Sequence, residues 1–304
     1  MGGNISAAEM SAILNKSRLA LGTVQFGLDY GVANSGGLVT LEDARNIIRQ
    51  AELNGVDTLD TAIAYGASEA TLGQVGVEGW SVITKLPALP DDCQGVATWV
   101  TAQIEQSMSR LGVRQLQGVL LHRPEDLFGE NGSSLVMALE GLKADGLTRQ
   151  IGVSVYAPEQ LEKLTAIMAL DLVQAPLNIL DRRLIASGWA SRLKDRGTEV
   201  HVRSAFLQGL LLMPSDQRPA KFALWSEIWI EWSRWLERTG LTPLQACLAY
   251  VLGVAEVDRV VVGVDSLVQL NEIFVASQAV LPSLPDWPQP VDMKLINPGL
   301  WSQL

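Results

Sequence analysis

Cysteine is almost missing from this sequence: Cys93 and Cys247 are the only two in 304 residues. Two distant thiols make no disulfide scaffold, and they point to a reduced compartment such as the cytoplasm. Histidine is as scarce, with only His122 and His201. Neither has cysteine or glutamate partners at ligand spacing, which argues against a metal centre. No apolar run approaches the roughly 18 residues needed to cross a bilayer. Cations are also few, 23 Lys and Arg against 33 Asp and Glu, for a formal charge of −10. That balance argues against nucleic acid or an anionic membrane as main partner, because both reward clustered cations. Small anions stay open, since a few local donors can hold a phosphate. The first residues lack the charged-then-apolar layout of a signal peptide. Met1-Gly2 with Ser6 fits the short myristoylation pattern and is read as a chance match.

What is present is a large apolar content, 48% of residues, arranged in alternation. Runs rich in Val, Leu and Ile at 18–26, 56–61, 81–86, 116–122, 150–155, 172–177, 199–204 and 259–264 read as strands buried on both faces. Amphipathic segments separate them. Thr40 with Asp43 caps one helix start and Asn54-Gly55 ends that helix. Pro158-Glu159 opens another, while Asp145-Gly146 and Arg196-Gly197 mark further ends. Eight strand–helix units without a break in composition predict a single α/β domain, a (β/α)8 TIM barrel over 18–280. Residues 1–17 form an N-terminal extension and 281–304 a tail rich in proline and tryptophan, which folds over the barrel mouth or packs elsewhere. The long connections at 123–133 and 207–225 follow strands, so they should shape the active-site face.

Four chemical groups lie at or just past predicted strand ends: Asp60, Tyr65, Lys85 and His122. Such ends point to one mouth of a barrel. A phenol, with an ordinary pKa of about 10, is a poor acid near neutrality. An ammonium beside it stabilises the phenolate, and a carboxylate keeps that lysine charged and oriented. An imidazole can donate to the developing oxyanion, which is worth roughly 3 kcal/mol in measured cases. Together they are the parts for protonating a carbonyl oxygen while hydride reaches its carbon. Taken singly, each is equally an ordinary rim or strand-end group. His201, inside an apolar strand, reads as structural.

The chain resembles the aldo-keto reductase superfamily from about residue 18 to 276. The resemblance rests on Leu21-Gly-Thr-Val-Gln-Phe-Gly27, on Asp60-Thr-Ala-Ile-Ala-Tyr65-Gly66 with Ser68-Glu69 and Leu72-Gly73, and on Thr84-Lys85. Leu121-His122-Arg123-Pro124, Ile151-Gly-Val-Ser154 and Val173-Gln174 with Asn178 continue it in order. It implies Tyr65 as general acid, Asp60 and Lys85 as its support, and His122 as guide for the carbonyl.

It also implies a nicotinamide dinucleotide as partner, bound extended across the mouth without a Gly-x-Gly-x-x-Gly loop. Ser154, Gln174 and Asn178 would lie at the nicotinamide, and Gly22, Thr23, Asp60, Arg203 and Ser204 would complete that end of the site. Arg203 stands where many members carry a stacking aromatic; a guanidinium can stack, or hold a phosphate or a substrate anion. Gly263-Val-Asp265-Ser266 with Gln269 resembles the adenosine-phosphate segment, with Gly263 and Ser266 allowing close approach to phosphate. Asp265 and Gln269 replace the cations often gathered at a 2′-phosphate. Asp265 repels that phosphate but suits a ribose hydroxyl. The family favours NADPH and Asp265 favours NADH.

The substrate implied is a small aldehyde or ketone. The opening segment Gly22 to Asn34 looks like bacterial members associated with sugar metabolism, which implies a sugar-like carbonyl by analogy. One alternative is a weakly catalytic, nucleotide-binding regulatory module on the same barrel. Another is a Schiff-base aldolase using Lys85, which needs a lysine of depressed pKa. The stretch 225–235 (WSEIWIEWSRW) reads as a helix with aromatics spread over its surface, serving core packing, a partner interface or a loop anchor. No oligomeric state follows from the sequence.

Overall fold

Eight short strands carry the apolar runs, and each hydrogen-bonds in parallel to its neighbours in chain order until the last meets the first. In the computed structural model, which describes residues 17–31, 37–287 and 291–304, these are β1 (Leu19–Gly22), β2 (Thr58–Asp60), β3 (Ser81–Leu86), β4 (Leu116–Leu121), β5 (Thr148–Ser154), β6 (Leu172–Pro176), β7 (Glu199–Arg203) and β8 (Arg259–Gly263). The expected closed (β/α)8 barrel is therefore the fold. Met1, Gly2 and Ser6 lie outside the described residues, as does the end of the sugar-associated opening segment.

Most strands are shorter than their apolar runs, while β3 matches its run and β5 starts two residues early, at Thr148. Residues 18–26 were expected as one strand, but β1 stops at Gly22. There the Thr23 amide and hydroxyl both donate to the Asp60 carbonyl, at 3.0 Å each. Val24–Phe26 then turns as a 3-10 helix.

Outside the barrel run α1 (Leu41–Leu53), α2 (Ser68–Val75), α3 (Val96–Leu111), α4 (Gly132–Ala144), α5 (Gln160–Ile167), α6 (Arg183–Ala186), α7 (Trp189–Asp195), α8 (Ser226–Thr239), α9 (Pro243–Gly253), α10 (Leu267–Ala276) and α11 (Met293–Ile296). Thr40 caps α1 by accepting from the Asp43 amide at 3.1 Å, as its sequence signature predicts. The start of α5 is displaced from Pro158-Glu159 to Gln160. The Gln160 side chain accepts from the amides of Tyr156 and Ala157, so it fixes where that helix begins.

Tryptophan organises one flank. On α8, Trp229, Trp232 and Trp235 share the buried face instead of spreading around the helix. Two of their indoles point back at the connection that follows β7: Trp229 donates to the Phe222 carbonyl at 2.8 Å and Trp232 to the Leu211 carbonyl at 3.3 Å. The tail does not lie free. Trp287 meets Trp232 edge-on at 6.2 Å, and Trp301 meets Phe222 at 4.8 Å. Lys221 donates to the Trp301 carbonyl at 2.9 Å. The tail thus packs on the connection between β7 and α8.

Candidate active site

Local geometry explains how the four chemical groups meet. Asp60 closes β2, Lys85 is the last residue but one of β3, and His122 follows β4 directly. Tyr65 sits in the turn between β2 and α2, which two glycines permit. A Cβ on Gly27 would stand 2.0 Å from the Tyr65 carbonyl oxygen, and Gly66 adopts φ +55°. These glycines bring the chain after β1 against the Tyr65 turn.

Asp60 is the hub. One carboxylate oxygen accepts from Lys85 Nζ at 2.7 Å and the other from Gln174 Nε2 at 2.6 Å. Lys85 donates also to the Thr61 carbonyl at 2.9 Å. Asp60, Lys85 and Gln174 are 4%, 1% and 0% exposed, so these charge-assisted bonds operate away from water. The Lys85 ammonium stands 5.1 Å from the centre of the Tyr65 ring. The His122 ring meets that of Tyr65 edge-on at 5.9 Å.

Electrostatics separates the two bases. Burial works against the Lys85 ammonium, yet the charge of Asp60, then Tyr65 and the Asp60 hydrogen bond, outweigh it and hold Lys85 above its ordinary value. A lysine kept charged is no Schiff-base nucleophile, which removes the aldolase reading. His122 moves the other way. Burial, then the charges of Lys85 and Arg203, push it down to about 4. Near neutrality it is an uncharged imidazole with one N–H to donate.

Around this centre lie the groups expected to hold a nucleotide. Ser154 donates to the Gln174 side-chain oxygen at 3.4 Å, leaving a weakly satisfied amide oxygen at the mouth. Thr23 and Asn178 are fully buried and already engaged. Thr23 accepts from the Ser68 hydroxyl, and Asn178 bonds the Ser204 carbonyl and the amides of Leu180 and Asp181. Their side chains frame the site. Arg203 lies 4.7 Å over the Tyr156 ring and donates to the Val155 carbonyl and the Ser204 hydroxyl. Among the described residues no carboxylate pairs with Arg203, so its charge faces the mouth uncompensated.

Between β1 and β8 there is a second cradle. A Cβ on Gly263 would fall 2.6 Å from the Gln25 amide, so only glycine lets that side chain lie across β8. The Gln25 side-chain oxygen and one Asp265 carboxylate oxygen are buried without a partner. Ser266 caps α10 by accepting from the Gln269 amide, while the Gln269 side-chain oxygen accepts from the Asp265 amide at 2.7 Å. Two orphaned acceptors call for donors, and ribose hydroxyls or an adenine amine supply them. A phosphate oxygen does not. The residues present thus fit a nucleotide.

Reasoning from sequence missed Gln25, Tyr30, Tyr156 and Gln208. Gln25 stands inside the opening motif, where the orphaned oxygen depends on the fold and leaves no sequence trace. Tyr156 follows β5 by two residues and could have been found as an aromatic at a strand end. Gln208 donates to the Tyr30 hydroxyl at 3.1 Å, joining the connections after β7 and β1. Ser204, Leu207 and Gln208 are the three non-glycine residues with positive φ among the described residues, all in the connection after β7. His201, inside β7, has Nε2 2.9 Å from Glu199 while its Nδ1 is buried without a partner, and both cysteines are free thiols. Among the described residues no helix is long and apolar enough to cross a membrane, and no cluster has the make-up of a metal site.

The strand ends of this closed parallel barrel thus bury a carboxylate–ammonium pair beside a phenol and an imidazole. The match to the aldo/keto reductase family covers residues 18–284, and the chain belongs to that family. An aldo-keto reductase from Mycobacterium sp. (strain KMS) is 34% identical over 129 residues, 40% of this chain and 45% of the relative. The aldo-keto reductase YhdN of Bacillus subtilis (strain 168) is 26% identical over 184 residues, 56% of this chain and 53% of that protein. The matched stretches therefore span about half the length of these relatives. Among solved structures, the holo form of aldo-keto reductase AKR11C1 from Bacillus halodurans aligns with a TM-score of 0.67 and 20% identity, over 88% of each chain. That likeness speaks for the fold.

Proposed function

We propose that this chain is an NAD(P)H-dependent reductase of aldehydes or ketones in which Tyr65 is the proton donor. The observation that carries the reading is the buried Asp60–Lys85 pair, 2.7 Å apart, with its ammonium facing the Tyr65 ring. The bound nicotinamide supplies the hydride. The chain supplies everything else. The Lys85 charge favours the phenolate that remains after Tyr65 gives its proton to the carbonyl oxygen. Asp60 and the Thr61 carbonyl fix that ammonium, and Gln174 fixes Asp60. His122, uncharged, donates an N–H to the same oxygen and orients it. With His122 neutral, Tyr65 is the acid left at the centre.

For the nucleotide, Ser154 and the Gln174 oxygen suit a carboxamide, and Gly22, Ser204 and Arg203 line the way out. Gly263, Ser266 and Gln269 shape the adenosine end. Asp265 supports NADH at that end, because it accepts from a ribose hydroxyl and repels a 2′-phosphate. NADPH remains the cofactor that family membership favours. At the rim, Tyr30, Gln208 and Arg203 offer polar contacts beside the exposed Tyr156 ring, which suits a hydroxylated, sugar-derived carbonyl. Titration with NADH and NADPH, read by tryptophan fluorescence, tests the reading. Saturable binding of at least one nucleotide below about 1 mM is expected. Binding of neither sinks the reductase assignment.

A further inference from the structure

The connection between β7 and α8 leaves an open surface pocket of about 570 Å³ against the helix. Its helical wall is one face of α8, formed by Ser226, Trp229, Ile230, Ser233 and Arg234. Its other wall carries Arg218. No residue of the Asp60–Tyr65–Lys85–His122 centre lines it.

Arg218 is unusual in its surroundings. Its guanidinium lies 4.1 Å over the Trp229 ring and donates to the Met213 carbonyl at 3.2 Å. Its Nε is buried and has no partner. Among the described residues no carboxylate pairs with Arg218 or Arg234, although acids outnumber bases in the chain by ten. Burial alone acts on the Arg218 charge, pushing its pKa below the ordinary value, with no acid opposing. Ser215, Ser226 and Ser233 line the same space, and their hydroxyls make no hydrogen bonds among the described residues. The first turn of α8, which opens there, has no side-chain cap. Two unpaired cations, three uncommitted hydroxyls and a helix amino terminus favour negative charge, opposed at that terminus by Glu227 in the first turn. Phe222 and Trp229 supply a buried apolar floor, and Ile230 stands exposed at the rim. Glu237 also lines the pocket, three residues and about 4.5 Å of helix rise beyond Arg234, so it opposes an anion at the Arg234 end and leaves Arg218 as the stronger cation.

We propose that this pocket is a second ligand site, taking a small organic anion, a carboxylate or phosphate ester, whose flat apolar body rests beside Trp229 while Arg218 and Arg234 hold the charge. The proposal stands independently of the reductase reading. Calorimetric titration of the full chain with benzoate and with phenyl phosphate tests it, with benzyl alcohol as the uncharged control. One saturating site is expected for at least one anion, and whichever binds names the preferred head group. Benzyl alcohol should bind at least about tenfold more weakly, as should either anion to Arg218→Gln. Arg234 is exposed, so Arg234→Gln should fold normally and still weaken binding several-fold. Arg203→Gln, which alters the mouth, should leave this binding unchanged. The proposal is overturned by no binding at millimolar anion, by equal binding of benzyl alcohol, or by affinity that follows Arg203 and ignores Arg218 and Arg234.

Discussion

The barrel mouth and the tryptophan flank hold the molecule together by opposite means. At the mouth, polar groups are buried and every bond has a direction: Asp60 uses one oxygen for Lys85 and the other for Gln174, joining β2, β3 and β6. On the flank, the bulk is apolar and the ring planes do the packing. Trp232 stacks on Trp235 at 5.6 Å with 11° between planes, and only the indole N–H groups are directional. A directed network tolerates no missing partner, because an orphaned buried charge keeps its full desolvation cost. An apolar cluster loses contact area in proportion to what is removed. Damage at the mouth should therefore reach chemistry and stability together, and damage on the flank should reach stability alone.

The largest effect is expected from Lys85→Met. It leaves Asp60 buried and unpaired, which should cost about 3–5 kcal/mol of stability. Turnover should fall at least about a hundredfold, measured at a temperature where the variant is folded. Trp232→Ala should cost a comparable 3–5 kcal/mol in denaturant unfolding, yet leave kcat within about twofold. If Trp232→Ala impairs turnover as much as Lys85→Met does, the two regions are not separable and the contrast fails.

That contrast also explains what the sequence disclosed. The barrel was legible because strands buried on both faces need unbroken Val, Leu and Ile, and helix ends need Thr40 or Gly55. The chemical centre was legible because a strand end fixes where Asp60, Lys85 and His122 point. Strand lengths were not, since β1 stops where Thr23 bonds the Asp60 carbonyl, a contact 37 residues away in sequence. On the flank, core packing and loop anchoring were legible, but the inward face was not, for a similar reason. Residues 225–235 show tryptophan at many positions, but which of them face inward depends on Leu211, Phe222 and Trp287. The orphaned oxygens of Gln25 and Asp265 are legible only in three dimensions.

A pH series sharpens the electrostatic half of the comparison. His122 is held at about 4, below the ordinary 6.5, so between those values the unfolded chain binds the proton and the folded chain does not. Stability from this group is complete above about 6.5 and declines as pH falls toward 4. In kcat/KM, the acid limb should lie near 4, with no inflection at 6.5. A limb near 6.5 that disappears in His122→Gln would mean that the imidazole is charged during turnover, contrary to its assigned role.

The smallest effect concerns the cradle between β1 and β8. Asp265→Arg should raise the NADPH-to-NADH affinity ratio by about tenfold, a change of roughly 1.4 kcal/mol. An unchanged ratio would remove Asp265 from cofactor choice while leaving the chemistry at Tyr65 intact.

The central claim is that a single phenol, supported by a buried ion pair, delivers the proton. Tyr65→Phe removes one oxygen atom and leaves the ring that meets His122 and faces Lys85. Single-turnover reduction by this variant, measured beside its nucleotide affinity, is the most direct test. The account predicts unchanged nucleotide affinity and a rate reduced by about 10²–10⁴. A Tyr65→Phe protein that binds the nucleotide and reduces carbonyls at the parent rate would contradict it.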